Sequence, residues 1–165
     1  MGHSEIHSAF KLLWKSQCQP KHKVFFWLLI SDRLSTRNIL RRRHMLLDSY
    51  SCVLCNSLVE ESVDHLFAYC SFARMCWDFI HIDIPLDSGF PALTSQMKDQ
   101  LNSQFFMETI ILLCWAIWMT RNDLIFKGET LNLAGIKRVF LRSLSFLSIE
   151  LKLDRKTISL HGFRV

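Results

Sequence analysis

The residues with the clearest chemistry are three cysteines and one histidine in the middle of the chain. Cys52, Cys55, His65 and Cys70 follow the spacing Cys-x2-Cys-x9-His-x4-Cys. Three thiolates and one imidazole form the ligand set of a closed, four-coordinate structural zinc site. The sequence therefore predicts one structural Zn2+. The alternative is that these are ordinary core residues, because cysteine is among the most frequently buried residue types.

The two halves of the ligand set require different local structures. Two intervening residues let both sulfurs of Cys52 and Cys55 reach one ion from a tight turn, which we call the knuckle. His65 is predicted to lie on a short helix capped by Ser62, with Cys70 just past the helix end. Asp64 and Glu61 are predicted to hold the ring nitrogen of His65 that does not bind the metal. A short two-stranded turn is expected around the knuckle.

The remaining cysteines indicate the compartment in which the protein works. Cys18 and Cys114 have no partner at metal-ligand spacing, and Cys76 is best explained by the apolar face of its helix. The N-terminal sequence lacks the cationic and apolar segments of a signal peptide. A reducing, intracellular compartment is therefore expected rather than a disulfide-bonded, secreted protein, with nucleus and cytoplasm left open.

The hydrophobic pattern predicts a mainly α fold. A small helical zinc-binding domain is expected over residues 4–81, a linker over 82–103, a pair of C-terminal helices over 104–152, and a basic tail over 153–165. The longest strongly apolar run, Thr109 to Thr120, has twelve residues. A membrane-spanning helix needs roughly 17–25 residues, so no membrane association is expected.

Individual residues are predicted to mark helix ends. Pro20 suits the first turn of the second helix. Ser35, Ser71 and Thr130 are predicted N-caps, and Gly128 is the expected stop of a long apolar helix. The amphipathic stripe that follows is predicted to be a packing face, with a helix-mediated partner as the alternative.

Charge is unevenly distributed along the chain. Residues 1–50 carry a net charge of +6, residues 51–100 carry −5, and residues 101–165 carry +4. An anionic partner would therefore contact mainly the basic flanks of the zinc segment. The candidate phosphate-binding residues are Lys21, Lys23, Arg37, Arg41, Arg42 and Arg43.

Two of these assignments have open alternatives. Consecutive arginines Arg41 to Arg43 equally suit a solvated helix end, where cations oppose the helix dipole. The tryptophans suit base stacking, but their apolar neighbours favour the core. These are Trp14, Trp27, Trp77, Trp115 and Trp118.

A collinear set of motifs resembles one known family. The motifs are Phe10–Trp14 (FKLLW), Pro20–Lys21, Phe25–Trp27 (FFW), Arg33–Arg37 (RLSTR), Leu40–Arg43 (LRRR), the cysteine pair, Glu61–Phe67 (ESVDHLF), Cys70, Phe72–Arg74 (FAR), Trp77, Trp115–Trp118 (WAIW) and Arg121–Phe126 (RNDLIF). The motifs up to Trp77 resemble the zinc-binding domain that follows the polymerase in reverse transcriptases of plant LINE-type (non-LTR) retrotransposons. The last two, from Trp115 onwards, resemble a motif that typically lies downstream of that domain. His22 departs from the pattern, which has an aliphatic residue at this position.

The resemblance implies a metal-binding role and a nucleic-acid partner. It assigns the metal to Cys52, Cys55, His65 and Cys70, and it implies help in holding template RNA or target DNA. The sequence has no Tyr-x-Asp-Asp turn and no acidic cluster of ribonuclease H type, so a stand-alone fragment without the polymerase is expected. A closed site leaves no ligand position for activated water, so an enzyme is not expected.

Two classes of function follow from these observations. In the first, the protein is a zinc-dependent module that binds RNA or DNA through its basic helices. In the second, it is a structural or protein-interaction domain in which zinc only staples the fold. Salt-dependent nucleic-acid binding distinguishes the first from the second.

Overall fold

The computed structural model describes residues 3–55, 57–84, 90, 96–97, 100–101 and 104–150. The helices are α1 (His3–Lys15), α2 (Pro20–Ile30), α3 (Arg37–Arg42), a π-helical turn (His65–Tyr69), α4 (Ser71–Phe79), α5 (Phe106–Lys127) and α6 (Leu133–Glu150). Among these residues, strand-like pairing is limited to one antiparallel bridge between Ser51 and Glu60. The predicted mainly α fold, with two C-terminal helices, is confirmed.

Helix α5 lies at the centre of the described core. It packs against α2, α4 and α6, and residues 106–114 are all buried. By length and composition alone α5 is apolar enough to cross a membrane, but half of its apolar window is buried inside the protein. Such burial is typical of a core helix that is covered by its neighbours on several sides.

The groups that accept hydrogen bonds from the first backbone amides of α3 differ from those predicted. Helix α3 begins at Arg37, and its first amides are bound by Glu61, which lies 24 residues further along: Arg37 N donates to Oε1 (3.0 Å) and Asn38 N to the backbone oxygen (3.1 Å). Ser35 is therefore not the cap. A glutamate from a distant segment supplies the acceptors that a helix start needs.

The two other predicted caps are also wrong. Helix α4 begins at Ser71 itself, with Cys70 in the N-cap position. Helix α6 begins at Leu133, where Asn132 Oδ1 accepts a hydrogen bond from Ala134 N (2.9 Å), so Thr130 is not its cap. Pro20 does open α2, and Gly128 ends α5 in the left-handed conformation (φ +65°), both as predicted.

Trp14 is the exception among the tryptophans predicted to be core. Its side chain is 56% exposed, whereas Leu13 beside it is fully buried. Trp77 is fully buried, and its Nε1 donates to Phe67 O (2.7 Å). Trp27, Trp115 and Trp118 are half-buried against the core. Trp14 is thus available to a partner in a way that its apolar sequence context did not indicate.

The segment predicted to be a linker contributes to the core where it is described. Ile82, Ile84, Phe90 and Met97 are each 7% exposed or less and belong to one hydrophobic cluster with α2 and α5. Residues 85–89, 91–95, 98–99 and 102–103 of the segment, like the basic tail 153–165, lie outside the described residues. The division into domains stays a prediction.

A buried ion pair joins the N-terminal half of the chain to α5. Arg121 Nη2 lies 2.7 Å from Glu61 Oε1, and the two side chains are 5% and 0% exposed. Arg121 also lies over the ring of Trp118 and donates to Asn122 Oδ1 (3.0 Å). A buried charge is tolerated only when its partners satisfy it, so this pair fixes how α5 sits against the chain around Glu61.

We predict that Arg121→Met destabilises the protein by about 3–5 kcal/mol, because it leaves the Glu61 carboxylate buried without its countercharge. Urea denaturation followed by circular dichroism measures this change in the free energy of unfolding. Lys127→Met is the matched control, because it removes the exposed pair with Asp123 on the same helix. Equal stability of the two variants would show that the buried pair does not hold the helices together.

Candidate metal centre

The first two candidate ligands are held by a small hairpin. Cys52 N donates to Val59 O (2.8 Å), and Glu61 N donates to Tyr50 O (2.9 Å), on either side of the Ser51–Glu60 bridge. This is the short two-stranded turn expected around the knuckle. The pairing places Cys52 and Cys55 on the inner side of the turn, where Cys52 is 5% exposed and Cys55 is half-buried.

The other two candidate ligands are held by the π-helical turn. Ser62 Oγ accepts a hydrogen bond from His65 N (3.1 Å), as expected of the predicted cap. Cys70 N donates to His65 O (2.6 Å), which closes a loop of five residues rather than the four of an α-helix. The wider turn explains how His65 and Cys70, five residues apart, face the same point.

All four candidate ligand atoms converge. The three sulfurs and the histidine nitrogen lie within 4.8 Å of one another. Cys52 Sγ is 3.9 Å from Cys70 Sγ, and Cys55 Sγ is 3.3 Å from His65 Nε2. Tetrahedral zinc with ordinary bond lengths separates its ligand atoms by about 3.5–3.8 Å. The residues therefore fit Zn2+, with Nε2 as the histidine ligand.

The thiol of Cys70 is the one best prepared to be a thiolate. A hydrogen bond from the Cys52 thiol lowers the pKa of Cys70 below its usual value, and the amides of Phe72 and Ala73 at the start of α4 act in the same direction. The same thiol–thiolate contact, together with burial, raises the pKa of Cys52. A bound dication supplies the positive charge that stabilises all three thiolates together.

The two acids predicted to orient His65 have other partners. Glu61 binds Arg121 and the amide of Arg37. Asp64 Oδ1 accepts a hydrogen bond from Phe90 N (2.7 Å). The prediction that either carboxylate holds the histidine ring is therefore wrong, because both are used to join the zinc segment to the rest of the fold.

The three cysteines outside the site have the properties of core thiols. Cys18, Cys76 and Cys114 are 5%, 1% and 0% exposed. Burial raises the pKa of Cys18 and of Cys76 to about 12 and that of Cys114 well above its usual value. None of them belongs to the cluster of ligand atoms, as the sequence indicated.

The candidate phosphate-binding arginines of α3 have two kinds of contact. Arg37 Nη1 donates to Ser51 O (3.0 Å), and Arg41 pairs with Glu60 (2.9 Å), so both tie α3 to the zinc hairpin. Arg42 pairs with Asp32 (2.6 Å) on the surface, and Arg43 is exposed.

The two candidate lysines lie on α2. Lys21 is exposed, and Lys23 Nζ donates to Trp14 O (3.4 Å). Asp32, the partner of Arg42, follows the opposite end of α2, about 15 Å away along the helix. The structure thus separates the six predicted residues into two groups.

Sequence reasoning missed the pairing of Glu61 with Arg121 and the exposure of Trp14, although it named Glu61 as a partner of His65 and Trp14 as a candidate for base stacking. Glu61 and Arg121 lie 60 positions apart, and no local pattern indicates that they pair. Lys11 lies three residues before Trp14 and four before Lys15, so it neighbours both of them on the surface of α1. That spacing is the one sequence signal by which an exposed role for Trp14 could have been found.

The fold and the site define a helical domain stapled by a Cys3His zinc centre. Residues 1–77 match the family described as zinc-binding in reverse transcriptase, and all four ligands lie within the matched segment. The match covers just under half of the chain and confirms the resemblance to the zinc-binding domain of reverse transcriptases up to residue 77; the motifs at 115–118 and 121–126 lie outside it. Its description names the zinc-binding region and not the catalytic polymerase. Neither the curated proteins nor the solved structures give a match.

We predict that Cys70→Ala abolishes zinc binding, because three ligands cannot close the tetrahedral site. Zinc content by mass spectrometry should fall from one ion per chain to none, and the melting temperature should fall with it. The matched control, Cys76→Ala, removes a buried thiol six residues away on α4 and should keep the ion. Loss of zinc from both variants, or from neither, would contradict the assignment of the ligands.

Proposed function

We propose that this zinc-binding, reverse-transcriptase-derived module binds single-stranded nucleic acid and catalyses no reaction. Its parent, on the motifs that carry the resemblance, is a plant LINE-type retrotransposon. A closed site with four protein ligands has no open position for a substrate or water, which supports a structural role for the metal. Ligand thiolates persist in a reducing compartment, so we place its action inside the cell.

The observation that carries this proposal is the excess of positive charge that runs from the second half of α1 to the end of α2. From His7 to Ser31 the chain has four lysines and no Asp or Glu. Trp14 is exposed and lies one helical turn after Lys11, which is also a surface neighbour of Lys15, and Lys23 reaches the backbone oxygen of Trp14. Lysines around an exposed aromatic ring suit a single strand, because phosphates meet the charges and a base stacks on the ring.

The zinc hairpin contributes indirectly by fixing α3. Arg37 and Arg41 contact the hairpin, and Glu61 binds the first amides of the helix. The helix therefore presents Arg42 and Arg43 to solvent at a fixed place. The ion pair of Arg42 with Asp32 is exposed, and exposed pairs are weak enough for a phosphate to compete.

A second candidate function is protein interaction, in which zinc is only a staple. Apolar side chains are exposed in the hairpin and just after α3: Leu46 is 95% exposed and Leu58 86% exposed, with Met45 and Val59 about half exposed. A polymerase domain is the partner that the resemblance suggests for them. A protein that bound no nucleic acid, but bound such a domain in gel filtration, would favour this function.

We predict that Arg42→Gln with Arg43→Gln weakens binding of single-stranded RNA and reduces its salt dependence. Each phosphate contact on a single strand contributes about 0.7 to the slope of log K against log salt, so the slope should fall by about 1.4. Fluorescence anisotropy at several salt concentrations measures the slope.

The control for charge alone is Lys127→Gln with Arg138→Gln, which removes the same charge from exposed sites on α5 and α6. It should leave the slope unchanged. If both double variants lower the slope equally, binding depends on net charge and α3 has no specific part. If the unaltered protein does not bind RNA or DNA, the proposed function is wrong.

We predict that Trp14→Ala lowers affinity for the same RNA by roughly 5- to 150-fold, which corresponds to the loss of one base–aromatic stacking contact. The salt slope should stay constant, because no charge is removed. Phe126→Ala removes another exposed aromatic side chain, on α5, and should bind normally. Unchanged affinity of Trp14→Ala, with the fold intact by circular dichroism, would exclude stacking on Trp14.

A further inference from the structure

A cavity lies between α2, α5 and α6, lined by none of the four zinc ligands. Its volume is about 290 Å³, and it is lined by the N-terminal end of α2, the middle of α5 and the C-terminal half of α6. This volume is at the lower end of the range for small-molecule sites. Neither the family match nor the proposed zinc role gives this cavity a purpose.

The cavity has a rigid aromatic wall. Trp115 lines it and is held by edge-to-face contacts with His22 and Phe25, at ring-centroid distances of 5.1 and 5.2 Å. Phe146 lines it from α6 and is 51% exposed. Such packing fixes the indole ring in place, so binding of a planar ligand would cost little conformational entropy of the Trp115 side chain.

The charged side chains that line the cavity are both cations. Lys21 enters from α2 and Arg142 from α6, and no Asp or Glu is among the lining residues. The Arg142 guanidinium lies 5.6 Å from the centre of the Phe146 ring. Because α2 begins at Pro20, its positive dipole end also faces this region.

A nearby carboxylate is already engaged. Glu108 is 4% exposed and accepts a hydrogen bond from Gln17 N (2.7 Å). It does not line the cavity. The net character of the cavity is therefore an aromatic wall with two cations at its edge.

We infer that this cavity binds one nucleotide, with the base against Trp115 and the phosphate between Lys21 and Arg142. An aromatic face suits a base, and Lys and Arg are the usual phosphate ligands. A purely apolar ligand would leave both cations unused, and a simple anion would leave the aromatic wall unused. The nucleotide is either a free nucleoside monophosphate or the end residue of a strand.

The test is titration of the zinc-loaded protein with 5′-AMP, adenosine and inorganic phosphate by calorimetry. AMP should bind at least about tenfold more tightly than either fragment, since only AMP engages both the ring and the cations. Arg142→Gln should weaken AMP binding by about tenfold, and because Arg142 is exposed the variant should fold. Lys127→Gln, about 18 Å from Trp115 along α5, is the control and should bind AMP normally.

The outcomes separate the two ligand sources. Competition between AMP and a 5′-phosphorylated oligonucleotide would identify the end of a strand, and simultaneous binding of both would identify a free nucleotide. AMP binding no tighter than that of adenosine or phosphate would overturn the proposal, as would equal effects of Arg142→Gln and Lys127→Gln.

This inference shares Lys21 with the proposed nucleic-acid surface, but it does not depend on Trp14, Arg42 or Arg43. Trp14→Ala and the Arg42→Gln, Arg43→Gln double variant should bind AMP with unchanged affinity. Failure of AMP binding with RNA binding intact would reject the cavity alone. Failure of RNA binding with AMP binding intact would reject only the proposed function.

Discussion

The Glu61 carboxylate is the point on which the described parts of the fold depend. It is fully buried, and it accepts hydrogen bonds from Arg121 of α5 and from the first amide of α3. Its backbone amide donates a hydrogen bond to Tyr50 O, which continues the pairing of the hairpin that carries Cys52 and Cys55. Because a buried carboxylate is costly unless each of its partners is present, the hairpin, α3 and α5 are held to one arrangement. Specificity of assembly, rather than net stability, is the better explanation of such a pair.

The zinc centre and this ion pair are close neighbours in the chain. Ser62, which follows Glu61 directly, caps the turn that carries His65. Only residues 62–64 separate Glu61 from the ligand His65, so the metal site and the ion pair share one short stretch of chain. The family match ends at residue 77, whereas the partner of Glu61 lies at position 121. The contacts of the segment around the zinc site thus reach a helix beyond the matched residues.

Short-range spacing was enough to predict the four candidate zinc ligands, the start of α2 at Pro20 and the end of α5 at Gly128. Each of these features depends on residues that are close together in the sequence. Prediction of the caps of α3 and α6 was less accurate. Glu61, far along the chain, satisfies the start of α3 in place of Ser35, and no local pattern shows a competitor at that distance. Trp14 was misplaced for a related reason. Trp14 follows the buried Leu13 directly in the sequence. Which of the two is buried depends on which side of α1 meets α2, and tertiary packing decides this.

The arginines and lysines of the N-terminal half have different physical roles. Arg37 and Arg41 make directed contacts with a backbone oxygen and a carboxylate of the hairpin, a use that suits the planar guanidinium. The lysines of α1 and α2 all lie between His7 and Ser31, a stretch that contains no Asp or Glu; the one acid of α1, Glu5, lies near the start of that helix. Their free charge repels neighbouring cations unless an anion is bound, so the surface itself favours an anionic partner. On the proposed function, the arginines next to the hairpin position the helix and the lysines attract the strand. The metal would then govern affinity through geometry rather than through its own charge.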